Sequence, residues 1–222
     1  MVHHDALACD ILNWLARLPF LAAADLALLT GQPLPDVEAT LRELDSDHHV
    51  DWVTPSSPEL DASRLYILTE PTRQHIANES RQGEAGRSLL PVTRGDVIHR
   101  LARLEATAAL NEFVASLVTL QRRSTDAAFH DVWSGPGRRP RDAWWPPGVD
   151  AFGSFRSAGQ IAPFFILVDR AGAPAVHRAA LIAGWHHFRD RQQRWGRDRV
   201  PAILVLCPDS EREAEWARQA QA

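Results

Sequence analysis

Residues 37–53 read VEATLRELDSDHHVDWV and change from a helical period to an extended one. Val37, Leu41 and Leu44 recur at i, i+4 and i+7, which puts three apolar side chains on one helical face, and Pro35 with Asp36 opens that helix. From Val50 the chain fits a strand over 50–54. After the polar loop PSSPELDAS (55–63), residues 64–68 fit a second strand, and Thr69 can cap a closing helix that runs to residue 76. Toward the N-terminus, Leu7, Ile11, Trp14 and Leu18 make one helical stripe that stops at Pro19. A short helix fits 22–29, with Leu26 and Leu29 inward and Gly31 suited to the left-handed turn behind it. Three helices, a hairpin and a helix are the order of a winged helix-turn-helix, assigned to residues 1–78.

Toward the C-terminus, residues 79–95 hold Gly83, Gly86, Gly95 and Pro91 with little apolar periodicity and read as a linker. Residues 96–222 form the second module. Its first element is a single long helix over 96–122, with Val97, Leu101, Leu104 and Ala108 in a stripe continued by Phe113, Leu117 and Leu120. A helix of that length either covers a sheet or pairs with a second copy of itself, and a homodimer is the expectation. After GPGRRPRDAWWPPG (135–148), strands fit 150–155 and 163–169, the latter inside the run APFFILVD that suits a buried strand. Leu181, Trp185 and Phe188 mark a helix over 174–194, AILVLC (202–207) reads as a last buried strand, and a terminal helix starts at 209. With a further strand over 129–133, this is the order of restriction-endonuclease-like folds. The fold class expected is α+β, a winged helix-turn-helix followed by an α/β nuclease-like domain.

The chain has 222 residues, 45% hydrophobic and 23% charged, as in folded globular proteins rather than disordered ones. No apolar run nears the ~20 residues a membrane helix needs, and MVHHDALACD lacks a basic start followed by an apolar stretch. A cytoplasmic protein without a membrane partner is therefore expected. Cys9 and Cys207 lie at opposite ends, which argues against a disulfide framework or a paired-cysteine zinc site. All 24 basic residues are arginine, so chemistry that needs a lysine of this chain is excluded. Residues 1–80 carry 4 arginines against 13 acids, a net of −9, and residues 81–222 carry 20 against 15, a net of +5.

Three segments, LPFLAAADLALLTG (18–31), VEATLRELDSDHHVDWV (37–53) and RLYILTEPTRQHIA (64–77), resemble the winged-helix half of the replication-relaxation family of plasmids and integrated mobile elements. The resemblance implies a third helix in the major groove, a wing on the DNA backbone, and work beside DNA or a protein partner of a replication or relaxase complex. The family's second half resembles a nuclease fold with two acidic sites. Here PPGVDAFGSFR (146–156) places Asp150 at the first, FFILVDRAG (164–172) places Asp169 and Arg170 at the second, and Leu167 stands where the family shows glutamate. Nucleases of this fold hold Mg²⁺ with two or more carboxylates and use a lysine at the attacking water. Without lysine, and with leucine at an expected acid, the chain reads as non-enzymatic. Asp150 and Asp169 are then remnants, with no cofactor and no metal expected.

Candidate DNA contacts are the arginines. Arg42 on the third helix stands among Asp36, Glu38, Glu43, Asp45 and Asp47, and Arg64 lies on the wing, with Arg73 in the helix after it. Richer clusters are Arg138, Arg139 and Arg141, flanked by Trp133, Trp144 and Trp145, and Arg189, Arg191 and Arg194, followed by Arg197 and Arg199. Three readings stay open: DNA association carried mainly by the second module, an adaptor whose acidic winged helix docks on a protein, and, least favoured, an active Mg²⁺-dependent nuclease. The histidine pairs 3/4, 48/49 and 186/187 lack ligand spacing and read as surface or half-buried residues, and Cys207 reads as a core residue.

Overall fold

Apolar positions three and four apart build α1 (Ala6–Arg17), which buries Ala8, Ile11, Leu12, Leu15 and Ala16. Trp14 turns half outward beneath the Arg17 guanidinium, 5.6 Å from the ring centroid. The computed structural model describes residues 5–56, 60, 63–82, 93–123, 127–134, 146–157, 160–169, 174–194 and 200–221; of 80–82, 127–134, 157 and 192–194 it describes the backbone alone. Proline 19 ends the first helix, and buried Phe20 takes φ 66° while its N–H donates to the Tyr66 carbonyl at 2.8 Å. That bend starts β1 (Leu21–Ala22), a strand the sequence did not announce. Next, α2 (Ala23–Thr30) ends on Gly31 at φ 73°, whose N–H donates to Ala27 O at 2.9 Å. Helix α3 (Leu34–Ser46) buries Val37, Leu41 and Leu44 as the spacing requires.

The hairpin is β2 (Val50–Val53) and β3 (Leu65–Leu68), antiparallel from Val50 opposite Leu68 to Val53 opposite Leu65. Because β1 pairs with the other edge of β3, the sheet order is β1-β3-β2. Thr69 does not act through its hydroxyl on a helix amide. That hydroxyl donates to the His48 carbonyl at 2.9 Å, holding a turn in which His48 takes φ 60°, and α4 (Glu70–Gln82) follows.

The single helix expected over 96–122 is two helices, α5 (Arg94–Leu101) and α6 (Leu104–Arg123). Between them Arg103 N–H donates to Arg100 O at 3.1 Å, a tightened turn, and the Thr107 hydroxyl donates to the same carbonyl at 3.1 Å. The apolar stripe read from the sequence is not the face that is buried: Leu101 is 47% and Leu120 52% exposed, while Leu110, Asn111, Val114, Ala115 and Val118 are buried. The buried face also carries the polar Asn111. Its amide donates to Pro19 O at 3.0 Å and Phe20 O at 3.1 Å, satisfying two carbonyls of the strained bend. Arg122 donates to the carbonyls of Leu28 and Leu29 at the end of α2. These contacts place α5 and α6 in the first compact unit, Met1–Ala127, not with the second module to which the sequence reading gave residues 96–123. The charge asymmetry narrows accordingly. The first unit has 11 arginines against 18 acids, net −7, and the second, Ala128–Ala222, has 13 against 10, net +3.

The second unit holds β4 (Ala127–Ser134), β5 (Ala151–Ser157), β6 (Gln160–Val168), α7 (Ala175–Arg194), β7 (Ala202–Leu206) and α8 (Ser210–Ala220). The sheet order is β4-β5-β6-β7, with β5 and β6 antiparallel and β6 and β7 parallel across the α7 crossover. Phe164 to Val168 are all buried, as a continuous apolar run demands. AILVLC is not a buried strand: β7 is the sheet edge, and Leu204 is 37% exposed. Leu167, Leu181, Ile182 and Trp216 form a core in which Trp185, Val205 and Cys207 pack. Together the two units make an α+β protein, and no described helix is long and apolar enough to cross a membrane.

Candidate functional site

In the first unit the exposed side of α3 carries Asp36, Glu38, Arg42 and Glu43, and Ser46 and Asp47 at its end. Arg42 Nε donates to the Glu38 carbonyl at 3.2 Å, so the helix's one cation lies back along its own backbone. Arg64, just before β3, stacks its guanidinium over Trp52 at 4.1 Å from the ring centroid. Arg73 is no surface cation: it is buried and paired with Glu70, and burial, then the charge of Arg94, holds its pKa below the usual arginine value. The acidic character read from the third helix is thus also that of its exposed face.

The second unit brings Asp150 and Asp169, the two acids singled out in the sequence, to one end of the sheet. Asp150 N–H donates to Ile166 O at 2.7 Å and its Oδ2 accepts from Val168 N–H at 2.8 Å, which continues the β5–β6 ladder through a side chain. Upstream, Trp185 Nε1 donates to Pro147 O at 2.8 Å, and Gly148, at φ 78°, leaves no room for a Cβ beside Leu181. Asp169 sits one residue past β6, and its N–H donates to Leu206 O at 2.9 Å, extending the β6–β7 ladder. Its side chain is 3% exposed. Oδ2 accepts from Arg212 Nε at 2.7 Å and from Trp216 Nε1 at 2.5 Å, and Oδ1 lies 3.5 Å from Arg212 Nη2.

This contact extends into a network. Arg212 Nη1 donates to Glu215 Oε2 at 2.6 Å, and Arg178 Nη2 of α7 reaches the same oxygen at 3.0 Å. Arg178 Nε donates to Gln219 Oε1 at 2.8 Å, and Gln219 Nε2 to Ala175 O at 3.2 Å. The Trp216 indole stacks on Trp185 with centroids 5.6 Å apart and planes at 13°. The Asp169 hydrogen bond, aided by that of Glu215, raises the Arg212 pKa above its already high value, so Arg212 is a permanent cation here. Nearby, the partly buried Cys207 thiol is pushed up by burial and then by the charge of Asp169, which disfavours its thiolate.

A Mg²⁺ ion needs several oxygen ligands, usually one or two carboxylates plus waters. These residues do not fit it. The Asp169 oxygens face Arg212 and Trp216, and Leu167, at the position expected to be acidic, is in the apolar core. Among the described residues no three His, Cys, Asp or Glu side chains gather to hold a metal ion. Sequence reasoning missed Arg212, Glu215, Trp216 and Gln219, although their i, i+3, i+4, i+7 spacing marks one face of α8.

Arg189 and Arg191 are exposed on α7, Arg189 near Asp190 at 3.4 Å, and Arg194 is described only by its backbone near the end of that helix. Arg138, Arg139, Arg141, Trp144, Trp145, Arg170, Arg197, Arg199 and the His3/His4 pair lie outside the described residues, and of Trp133 only the backbone is described. His186 and His187 are exposed, and His49 Nδ1 lies 3.2 Å from the Thr72 hydroxyl. Compared with known proteins, the chain matches no protein-family model, no curated protein and no solved structure.

Proposed function

We propose that this is a non-catalytic, DNA-associated protein of the replication-relaxation type, working in the replication or relaxation of plasmid or mobile-element DNA or in their regulation. The observation that carries the non-catalytic part is the Asp169 carboxylate, bonded to Arg212 and Trp216 where a nuclease would present it to a metal. The order α1, β1, α2, α3, β2, β3 with β1 beside β3 supports a winged helix-turn-helix in the first unit. In the second, a mixed sheet with a helical crossover between β6 and β7 supports a nuclease-like fold. Fold alone does not assign use, so DNA association rests on charge. DNA affinity then resides in the net-positive unit, with Arg138, Arg139, Arg141, Arg189, Arg191 and Arg194 as contacts and Arg42 and Arg64 as lesser ones. The protein is proposed to be cytoplasmic and to act as a homodimer, which light scattering tests.

A second reading is favoured by one observation. The exposed face of α3 is acidic and its single arginine folds back on Glu38, which suits docking on a basic protein better than a major groove. Binding titrations at several salt concentrations separate the two. If the first reading holds, neutralising Arg138, Arg139 and Arg141 weakens binding and flattens the salt slope, while Arg42→Ala changes little. Abolition of binding by Arg42→Ala alone would show that α3 reads DNA. No binding by the wild type leaves the adaptor, and DNA cleavage with Mg²⁺ or Mn²⁺ that disappears in Asp169→Asn would refute the non-catalytic part.

A further inference from the structure

The acid corner at the end of β6 is closed from within. A carboxylate that is 3% exposed must have a counter-charge or take up a proton, because an isolated buried anion costs many kcal/mol. Either a divalent ion or a protein cation could supply that charge, and they compete for the same oxygens. The protein cation is tethered at three points. Asp209 caps α8 by accepting from Arg212 N–H at 2.8 Å, Trp216 donates to the same Asp169 oxygen one turn later, and Arg178 of α7 shares Glu215 with Arg212. A metal ion would have to break the 2.7 Å Arg212–Asp169 bond and find further oxygens where Leu167 offers none.

We infer that Arg212 is the resident cation of this corner, filling the charge-balancing place that a metal holds in an active nuclease, and that the exchange turns α8 into a latch on the end of β6. The comparison with a metal rests on the nuclease-like reading of the second unit, whereas the ion pair does not. The fold then neither needs nor gains from divalent ions, and the latch fails when either partner is removed alone. Removing one partner of a buried pair costs more than removing both; here Arg212→Met takes the guanidinium from a buried carboxylate, while Asp169→Asn leaves Arg212 its bond to Glu215.

Thermal unfolding of the full chain tests this, with chelator and with millimolar Mg²⁺ or Mn²⁺, on the wild type, Arg212→Met, Arg212→Lys, Asp169→Asn and the Asp169→Asn/Arg212→Met double variant. The wild-type Tm should not respond to either ion. Arg212→Met should lose on the order of 10 °C. Arg212→Lys should lose less, because it keeps the charge without the fork. The double variant should lose clearly less than the sum of its parents. Should Arg212→Met fail to fold, Arg212→Lys and its double with Asp169→Asn supply the same cycle. Additive losses would overturn the inference, as would a Mn²⁺-induced rise in wild-type Tm that Asp169→Asn abolishes. Either result without DNA cleavage leaves the non-catalytic reading standing, whereas cleavage that depends on Asp169 overturns both.

Discussion

Asp25 and Asn111 show how single side chains set the stability of the first unit. Asp25 reaches back to accept from Ala22 N–H at 3.2 Å, but burial, and to a smaller extent the charge of Glu112, raises its pKa above the ordinary 3.8. A raised carboxyl contributes stability that is complete below the unfolded-state pKa and is lost as pH rises through the folded-state pKa. Asp25→Asn keeps an acceptor without the charge. Relative to that variant the wild type should therefore weaken from acid to neutral pH, as read from urea unfolding at both pH values. An unchanged difference would show that the Asp25 charge is well solvated. Asn111 is fully buried and donates to two carbonyls beside Phe20. Asn111→Leu keeps the bulk, orphans two carbonyls and also removes a buried Oδ1 that has no partner among the described residues, so a net loss of roughly 1–2 kcal/mol is expected. A loss within experimental error would mean that water replaces the amide.

Helix α7 offers a case in which local propensity and tertiary packing point in opposite directions. Gly184 lies inside a 20-residue helix, where alanine is ordinarily better by about 1 kcal/mol. Here a Cβ on Gly184 would stand 2.6 Å from Pro147 Cγ, in the segment that Trp185 holds through the Pro147 carbonyl. Overpacking typically costs about 1–3 kcal/mol, enough to cancel or exceed the gain. Gly184→Ala should therefore destabilise, with a lowered urea midpoint, and a raised midpoint would show that Pro147 yields freely. The same logic explains the break between α5 and α6. Leu101 and Leu104 fit an uninterrupted helical stripe, yet the chain turns at 102–103 and buries Asp96 and Arg100 on α5. Periodicity reports that a helix has an apolar side, not which side its neighbours will cover.

For the whole molecule, the division of the chain at 127 has a direct consequence. Helix α6 lays Leu110, Val114, Ala115 and Val118 inward and fastens the end of α2 through Arg122, so the first unit is incomplete without it. Each of the buried leucine and valine side chains among them contributes about 1.5–3 kcal/mol. A fragment of residues 1–127 should unfold cooperatively, whereas 1–78, the boundary suggested by the linker-like composition of 79–95, should lose cooperativity or much of its helicity. Circular dichroism during urea unfolding of both fragments decides it, and equal cooperativity would show that α6 is dispensable.

By itself the sequence determined the succession of elements and their approximate limits, from α1 to the hairpin and from β5 to α8, because periods of 3.6 and 2 and the punctuation by Pro19, Gly31 and Pro35 are local properties. It also determined what chemistry the chain lacks, since the absence of lysine needs no coordinates. Tertiary structure alone decided that α6 belongs with α2, that β7 is an edge, and that Asp169 meets Arg212 and Trp216. Those outcomes depend on contacts between residues 43 apart for Arg212 and Asp169 and 92 apart for Asn111 and Pro19. A buried polar group must find its partner wherever the packed chain brings one, and no local period records where that will be.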